Sequence, residues 1–153
     1  MKPKLLVSAC LLGTPCRYDG KSKKNEAVCA LAERFELIPV CPEVLGGLPT
    51  PRTPSERRGA CVMRKDGRDV TAEYRRGAEC ALETARREGV LAAVLKERSP
   101  SCGSGEIYDG TFTGALTAGD GVTAELLKAN GITVYGEGEQ SLTEFLCSVS
   151  HST

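Results

Sequence analysis

The segment "KLLVSACLLGTPCRYDG", residues 4–20, contains the strand that decides the fold and leads directly into two cysteines. Its apolar part, Lys4–Ser8, is typical of a buried β-strand. Cys10 follows two residues later, and Cys16 lies further along the same loop. The same order, a short buried strand followed by a thiol, occurs at two other places in the chain.

Helix-like and strand-like patterns alternate after this first strand. Apolar residues at spacings of three and four predict a helix over residues 25–35. A longer helix is expected over 72–88, with Thr71 as its N-cap and Gly89 as its stop. Continuous apolarity over 90–95 predicts a strand that is buried on both faces. The other predicted elements are strands at 36–40 and 132–135, a hairpin at 60–70 turning at Asp66-Gly67, a glycine-rich loop at 99–121, and helices at 122–130 and 141–147.

This alternation predicts the fold class. Strands that alternate with helices form a mostly parallel sheet with helices on both faces, so we expect a Rossmann-like α/β sandwich of three layers. A chain of 153 residues suits one domain, and the sequence contains no internal repeat or linker. We therefore predict a single domain over residues 1–153.

Charge and hydropathy exclude several classes of function. Twenty basic residues balance twenty acidic ones, so the chain lacks the net positive charge that draws proteins to nucleic acid or anionic membranes. No apolar run has the length of a membrane span, and too few residues precede Cys10 for an export signal. We expect a cytoplasmic protein with no membrane partner and no stable nucleic-acid partner.

The contents of cysteine and histidine narrow the chemistry. Eight cysteines are many for such a chain, and in a reducing compartment free thiols indicate metal binding or catalysis rather than disulfides. Histidine occurs once, as His151. This scarcity argues against histidine-ligated zinc, Cys–His nucleophilic pairs and Ser–His–Asp triads.

Three cysteines follow predicted strands. Cys10 comes after the first strand, and Cys41 directly follows the strand at 36–40. Cys102 lies in the loop that leaves the strand at 90–95. The carboxyl ends of parallel strands meet at one edge of a sheet, and open α/β sheets bind their ligands along that edge. We therefore expect these three thiols to converge on one pocket.

Spacing alone leaves three interpretations of these thiols open: a metal or cluster site, a reactive cysteine pair, and inert thiols. Thiolates select zinc, cuprous ions or iron–sulfur clusters. The close cysteine pairs of structural zinc sites do not occur here, and single cysteines from separate loops suit a cluster better. The remaining cysteines are predicted to be buried packing residues: Cys29, Cys61, Cys80 and Cys147.

Polar residues flank two of these cysteines. Glu43 lies two residues after Cys41 and is a candidate general acid or base. Alternatively, Glu43 caps a helix or pairs with Arg52 or Arg17. Serines and glycines surround Cys102, where hydroxyls can relay protons and glycines allow close approach of the backbone. Such serine-glycine segments are also common as simple connections.

Three segments together resemble the short form of the thiouracil desulfidase family. They are "SACLLGTPCRYDG" (8–20), "CPEVLGGLPTPRTPSE" (41–56) and "SPSCGSGEIYDG" (99–110). The resemblance extends over essentially the whole chain, with the motifs in the family's order and spacing. As a set these motifs are highly specific, although each alone is not.

The resemblance implies an α/β fold with an oxygen-sensitive 4Fe–4S cluster held by three cysteines, which match Cys10, Cys41 and Cys102. Cys16 is not expected to be a ligand. The implied reaction removes sulfur from thiolated pyrimidines such as 2-thiouracil and gives uracil and hydrogen sulfide. We expect the open iron to bind the substrate sulfur, and the substrate to be a small base or nucleoside rather than intact tRNA.

The resemblance also implies catalytic residues. The family's catalytic carboxylate matches Glu43, and its catalytic serine matches Ser99 or, as second choice, Ser101. Backbone N–H groups after the third cysteine are expected to stabilise developing negative charge. The candidate substrate-binding residues are Tyr18, Asp19, Arg52, Gly103 and Ser104. The alternative for Tyr18, Asp19 and Arg52 is that they only brace their loops.

Two other functions are compatible with the same thiols. An iron–sulfur or redox-sensing protein would hold a cluster but would not turn over a thiolated base. A cluster-free thiol transferase or structural zinc protein would need no iron.

Overall fold

The computed structural model of the protein describes residues 2–150 and contains eight strands and five α-helices within that range. The strands are β1 (Lys4–Ser8), β2 (Glu36–Val40), β3 (Ser55–Arg58), β4 (Cys61–Arg64), β5 (Ala92–Leu95), β6 (Glu106–Tyr108), β7 (Leu116–Ala118) and β8 (Val134–Gly136). The α-helices are α1 (Glu26–Ala30), α2 (Pro42–Leu45), α3 (Thr71–Glu88), α4 (Val122–Ala129) and α5 (Glu139–Ser150). Short 3-10 turns at Ala9–Leu12 and Leu31–Glu33 follow β1 and α1.

Four strands form one parallel sheet in the order β2-β1-β5-β8. Leu6 of β1 pairs with Ile38 of β2 on one side and with Ala93 of β5 on the other. Pro39 is accommodated because β2 is an edge strand, where one side needs no ladder hydrogen bond. The predicted α/β class and parallel sheet are confirmed.

Side chains alternate between the two faces of this sheet and bury both. Leu5 and Val7 point to one face, where they pack with Val28 of α1 and Phe145 of α5. The rings of Phe35 and Phe145 lie 5.3 Å apart, centroid to centroid, on this side. Burying one such side chain contributes about 1.5–3 kcal/mol, so this layer is fixed firmly against the sheet.

The second face of the sheet is covered by α3 and α4. Leu6 and Leu95 point to this side and pack with Leu82 of α3 and Leu127 of α4. The sheet therefore lies between two helical layers, which confirms the predicted three-layer sandwich. No helix within residues 2–150 is both long and apolar enough to cross a bilayer.

A close helix contact positions the second cysteine loop. Gly46, at the end of α2, and Gly77, in α3, lie where the two backbones touch. A Cβ atom on Gly46 would overlap the carbonyl of Glu73, and one on Gly77 would overlap the carbonyl of Pro42. Because neither contact tolerates a side chain, α2 is held directly against the long helix.

The start of α3 differs from the prediction. Thr71 is the first residue of the helix, and Val70 occupies the cap position without a capping side chain. The Thr71 hydroxyl instead accepts a hydrogen bond from the backbone N–H of Val62 at 2.8 Å. The Asp69 carboxylate accepts a hydrogen bond from the Thr71 N–H at 2.8 Å. It thereby satisfies one of the free backbone N–H groups at the start of the helix. The predicted helix end is confirmed, since Gly89 adopts a left-handed conformation.

The predicted hairpin at 60–70 is only partly correct. A turn does form at Asp66-Gly67, but its return segment makes one isolated bridge, between Met63 and Asp69. The partner of β4 is β3, on its N-terminal side, because the chain after the turn enters α3 directly. A second hairpin, β6–β7, lies within the stretch at 99–121 that was predicted to be loop.

Candidate functional site

A cleft of about 600 Å³ opens at the carboxyl ends of β1, β2 and β5. The chain continues from β1 to β2 on one side and later returns to β5 on the other, so this is where the strand order reverses. Ligands of open α/β sheets bind at such switch points. The volume also falls within the roughly 300–1,000 Å³ of ordinary ligand pockets.

The three predicted cysteines all line this cleft, and Cys16 lines it with them. Cys10 is 8% exposed and Cys102 is 4% exposed, while Cys41 is partly buried. The thiol of Cys16 lies beside those of Cys10 and Cys41, and its interaction with Cys10 raises the pKa of the Cys16 thiol. The Cys41 Sγ also lies 3.7 Å from the Cys16 carbonyl oxygen, so the loops after β1 and β2 are in direct contact.

Two of these thiols are held in their protonated form. The hydrogen bond with Cys16, together with burial, raises the pKa of the Cys41 thiol far above its usual range. Burial raises the pKa of the Cys102 thiol from 9.0 to about 12. At neutral pH both groups are neutral, and binding of a metal centre must therefore release their protons.

The three predicted thiols of the cleft come from separate loops, as the ligands of a multi-iron cluster do. Within residues 2–150, no three His, Cys, Asp or Glu side chains lie close enough together to hold one metal ion. Thiolates that bind different irons of a cubane stand further apart than ligands of one ion, and three loops supply them from different directions here. The hydroxyls of Ser8 and Ser101 act on the Cys102 thiol by lowering its pKa, which partly opposes the effect of burial.

The carboxylate of Glu43 is fixed on one side only. Glu43 lies in the first turn of α2, and its Oε2 accepts hydrogen bonds from Arg52 Nε at 3.3 Å and Nη2 at 3.0 Å. Tyr74 donates to the same oxygen at 2.9 Å, and burial raises the pKa of that phenol, which stays a donor. Glu43 also lines the cleft, and all three of these hydrogen bonds go to Oε2.

Arg52 positions Glu43 and connects two loops. All five of its N–H groups donate within the protein: two donate to Glu43 and three to other groups, so none is left over for a ligand. Nη2 donates to the Cys16 carbonyl at 3.1 Å, and Nη1 donates to the Pro49 carbonyl and the Thr50 hydroxyl, each at 3.1 Å. The alternative prediction for Glu43, an ion pair with Arg52, is therefore confirmed.

The two candidate serines have different environments. Ser99 lines the cleft, and its Oγ accepts hydrogen bonds from the backbone N–H groups of Ser101 and Cys102, each at 3.0 Å. With its oxygen used as an acceptor, the Ser99 hydroxyl proton is available to a ligand. Ser101 is fully buried, and its hydroxyl is paired with that of Thr123 at 2.8 Å. The geometry therefore favours Ser99 over Ser101 as a residue that acts on a ligand.

Comparison with known proteins decides the family. Residues 5–139 match the model of the family described as 2-thiouracil desulfurase. The chain belongs to the 2-thiouracil desulfurase family. Membership confirms the resemblance found in the three motifs. It also confirms that the protein is an enzyme, a desulfidase.

Two relatives of this family member extend the comparison. The uncharacterized protein YbbK of Bacillus subtilis strain 168 is 43% identical, over 88% of this chain and 96% of that protein. The solved structure of the 4Fe-4S-dependent thiouracil desulfidase TudS is 50% identical and superposes with a TM-score of 0.90. That comparison covers 97% of this chain and 99% of the TudS chain, so the fold is shared from end to end.

The candidate substrate-binding residues of this desulfurase are distributed unevenly. Tyr18 lines the cleft and is partly exposed. Asp19, which does not line it, pairs with Arg17 at 3.7 Å and accepts from the Lys21 N–H at 3.0 Å, so it braces its own loop. Gly103 and Ser104 also lie outside the cleft lining.

The expected anion-stabilising role of the backbone after Cys102 is not supported at Gly103. Its N–H donates to the Ser99 carbonyl at 2.9 Å and is therefore already satisfied within the loop. A Cβ on Gly103 would also press on Ile107 and the Ser99 carbonyl, so this glycine is required for packing of the loop.

The other four cysteines lie outside the cleft lining, but the prediction that they are buried is wrong for two of them. Cys61 and Cys147 are exposed, and Cys29 and Cys80 are partly buried. Cys61 starts β4 in a solvated hairpin, and Cys147 lies on α5 away from the inward-facing Phe145.

Three residues of the site were missed by sequence reasoning. Ser8 is the last residue of β1 and Lys96 directly follows β5, so the rule that ligand sites lie at strand ends would have found both. Tyr74 reaches Glu43 from α3. Its role depends on how α3 packs on α2, and the sequence carries no local signal for that contact.

Proposed function

We propose that the protein removes the sulfur of a thiolated pyrimidine base or nucleoside such as 2-thiouracil, releasing uracil and hydrogen sulfide. We also propose a 4Fe–4S cluster held by Cys10, Cys41 and Cys102. The observation that carries this proposal is the presence of these three thiols, far apart in sequence, in the wall of one cleft. Similarity to TudS, whose name states that it is 4Fe-4S-dependent, supports the choice of cluster.

The residues fit a cluster with one iron free of protein ligands. Three thiols from three loops supply three ligands, and Cys16 is proposed to stay a neutral neighbour of two of them. When bound, the cluster supplies a Lewis-acidic iron that polarises the thiocarbonyl group. An iron that is exposed in this way also accounts for the proposed sensitivity to oxygen.

Glu43 is the proposed general base. The reaction exchanges one thiocarbonyl sulfur for one water oxygen, so the water must lose two protons and the sulfur must gain two, with no net change of oxidation state. The Glu43 oxygen that faces the cleft accepts a proton from the attacking water. Arg52 and Tyr74 hold the other oxygen and keep the carboxylate in this orientation.

Ser99 is the proposed proton donor to the leaving sulfur. Its oxygen accepts two backbone hydrogen bonds, so its own O–H group acts as the donor toward the cleft. The two N–H donors also make the hydroxyl a better acid, because they stabilise negative charge on the oxygen. Between them, Glu43 and Ser99 move the protons from water to sulfide.

We propose a small-molecule partner only, without stable binding of nucleic acid or membrane, and a cytoplasmic location. The equal numbers of basic and acidic residues support the first part of this proposal. The cytoplasmic location is supported by the eight free thiols, because thiols stay reduced in that compartment. We also propose that the chain acts as one domain.

Anaerobic reconstitution with iron and sulfide tests the function. The wild-type protein should bind about four irons per chain and should convert 2-thiouracil to uracil with one sulfide released per base. Replacing Cys10, Cys41 or Cys102 by serine should abolish both properties, whereas Cys80→Ser, outside the cleft, should change neither. Glu43→Gln should keep the iron and lower kcat by roughly 10²- to 10⁴-fold.

The same experiment separates the alternatives. A sensing protein would bind iron and leave 2-thiouracil intact. The activity of a zinc or thiol-transfer protein would not depend on iron. Desulfidation that survives Cys41→Ser would contradict the proposed ligand set.

A further inference from the structure

Lys96 presents a second polar group to the cleft, from the side opposite Glu43. It directly follows β5 and lines the cleft, whereas Glu43 follows β2. Since β1 lies between β2 and β5, the two side chains flank the loop that carries Cys10. The backbone N–H of Lys96 donates to the Ser8 hydroxyl at 2.9 Å, which ties this strand end to β1.

The Lys96 ammonium is held in place by Glu137 and by the Glu97 backbone. Its Nζ lies 2.9 Å from Glu137 Oε2 and donates to the Glu97 carbonyl at 3.2 Å. The other oxygen of Glu137 accepts from the Glu97 N–H at 2.6 Å, and the Glu97 carboxylate accepts from the Gly138 N–H at 2.7 Å. The ends of β5 and β8 are thereby fixed to each other, and the ammonium has a defined position.

Two glycines lie against the Glu97 side chain. A Cβ on Gly136 or on Gly138 would overlap that side chain in its present position. Either substitution would therefore displace the Glu97 carboxylate from the end of β8. A surface ion pair contributes about 0–1 kcal/mol and needs no such accommodation. This construction indicates that the direction of the Lys96 side chain matters for the site.

One N–H of the ammonium remains available to a ligand. Nζ has three N–H groups, and two of them have partners within residues 2–150, Glu137 and the Glu97 carbonyl. The Lys96 side chain is 24% exposed and lies in the cleft wall. By contrast, Arg52 donates all its N–H groups within the protein, so it has none to offer.

We propose that Lys96 donates a hydrogen bond to the exocyclic carbonyl oxygen of the substrate, and so selects thiolated pyrimidines that carry a carbonyl group beside the thiocarbonyl. This inference rests on the proposed desulfidase function and names a specificity residue for it. A uracil-type ring offers acceptor and donor groups along its edge. An ammonium on one side of the cleft and a carboxylate on the other match that pattern.

Two substrates that differ by one group test the proposal. The first is 2-thiouracil, and the second is pyrimidine-2-thione, which has the thiocarbonyl but lacks the exocyclic oxygen. Both are assayed with anaerobically reconstituted wild type, Lys96→Met and Lys96→Arg. The matched control is Lys128→Met, which removes another lysine–carboxylate pair, with Asp120 at 2.9 Å, outside the cleft lining.

The expected result is a change in substrate preference. Lys96→Met should lower kcat/KM for 2-thiouracil by roughly 10- to 100-fold, the loss typical of a hydrogen bond to a charged group, and leave pyrimidine-2-thione nearly unchanged. Lys96→Arg keeps a cationic donor and should keep the preference, which serves as the test if Lys96→Met does not fold. Lys128→Met should leave both substrates unaffected.

Equal losses for the two substrates in Lys96→Met would overturn the proposal, because they would mean that Lys96 does not recognise the exocyclic oxygen. Loss of the preference in Lys96→Arg with normal iron content would overturn it as well. A wild type that binds iron and turns over neither compound would instead overturn the proposed function, and the role of Lys96 with it. The failures are thus distinguishable.

Discussion

Glu43 and Arg52 form an ion pair in which two guanidinium nitrogens, Nε and Nη2, bind the same carboxylate oxygen, at 3.3 and 3.0 Å. Arg52 is 6% exposed, so the pair is shielded from water. The guanidinium also reaches the Cys16 carbonyl, which connects the proposed base to the loop of the first thiol. Orientation of the base and position of the cluster loop therefore depend on one side chain.

The first prediction concerns this pair. Arg52→Met should lower kcat by roughly 10- to 100-fold, since Glu43 loses the partner that orients it while a base remains present. Stability should fall by about 3 kcal/mol, because the substitution leaves a largely buried carboxylate without its cation. Steady-state kinetics and urea unfolding measure the two effects.

The matched control for Arg52→Met is Arg68→Met, which alters an exposed arginine in the turn after β4. It should change neither kcat nor the urea midpoint. An Arg52→Met protein with wild-type kcat would show that Glu43 needs no such orientation.

Ser99 and Ser101 are expected to separate activity from stability. Ser99→Ala should lower kcat by roughly 100-fold because it removes the proton donor to sulfide. Ser101→Ala should cost about 1–3 kcal/mol of folding free energy, since it leaves the buried Thr123 hydroxyl without its partner. Kinetics and thermal unfolding of both variants, each with its iron content measured, give the comparison. The reverse pattern would make Ser101 the acting residue.

Cys16 is predicted to be dispensable for iron binding. Its thiol lies beside those of Cys10 and Cys41, and the proposed cluster takes its three ligands from separate loops without it. Cys16→Ala should therefore retain about four irons per chain. Iron and sulfide analysis of the purified variant measures this. Loss of iron equal to that of Cys10→Ser would make Cys16 a fourth ligand.

The cluster-free protein should lose stability as the pH rises above 9.0, the ordinary pKa of a thiol. Burial raises the pKa of Cys102 to about 12, so the folded state keeps this proton where the unfolded chain releases it. The stabilisation is complete below pH 9.0 and is lost up to about 12, at about 1.4 kcal/mol per pH unit for each such thiol. Urea unfolding of the cluster-free protein at several pH values measures the slope.

Cys102→Ala provides the control for that measurement. It removes one buried thiol and should flatten the pH dependence by about 1.4 kcal/mol per pH unit. Identical slopes for the variant and the wild type would mean that the Cys102 thiol is not held protonated by the fold.

The sheet and the positions of its thiols were predictable because they depend on local pattern. Lys4–Ser8 and Glu36–Val40 are strands with the bounds that were predicted, and the rule for parallel strand ends brought Cys10, Cys41 and Cys102 to one cleft. The family motifs added Glu43 and Ser99, which both line that cleft.

What the sequence did not reveal depends on tertiary packing. Tyr74 reaches Glu43 only because Gly46 and Gly77 let α2 and α3 touch. No local sequence pattern predicts that contact. The same is true of Lys96, whose position depends on Glu137, 41 residues away. Ser101 was the second choice after Ser99 in the sequence, and the pairing of its hydroxyl with that of Thr123 depends on packing that the sequence does not show.

The central claim is tested most directly by an anaerobic crystal structure with anomalous scattering measured at the iron edge. The account predicts about four iron positions in the cleft, three of them bonded to Cys10, Cys41 and Cys102 and the fourth free of protein ligands. A single metal position, or a bond from Cys16 to the fourth iron, would contradict it.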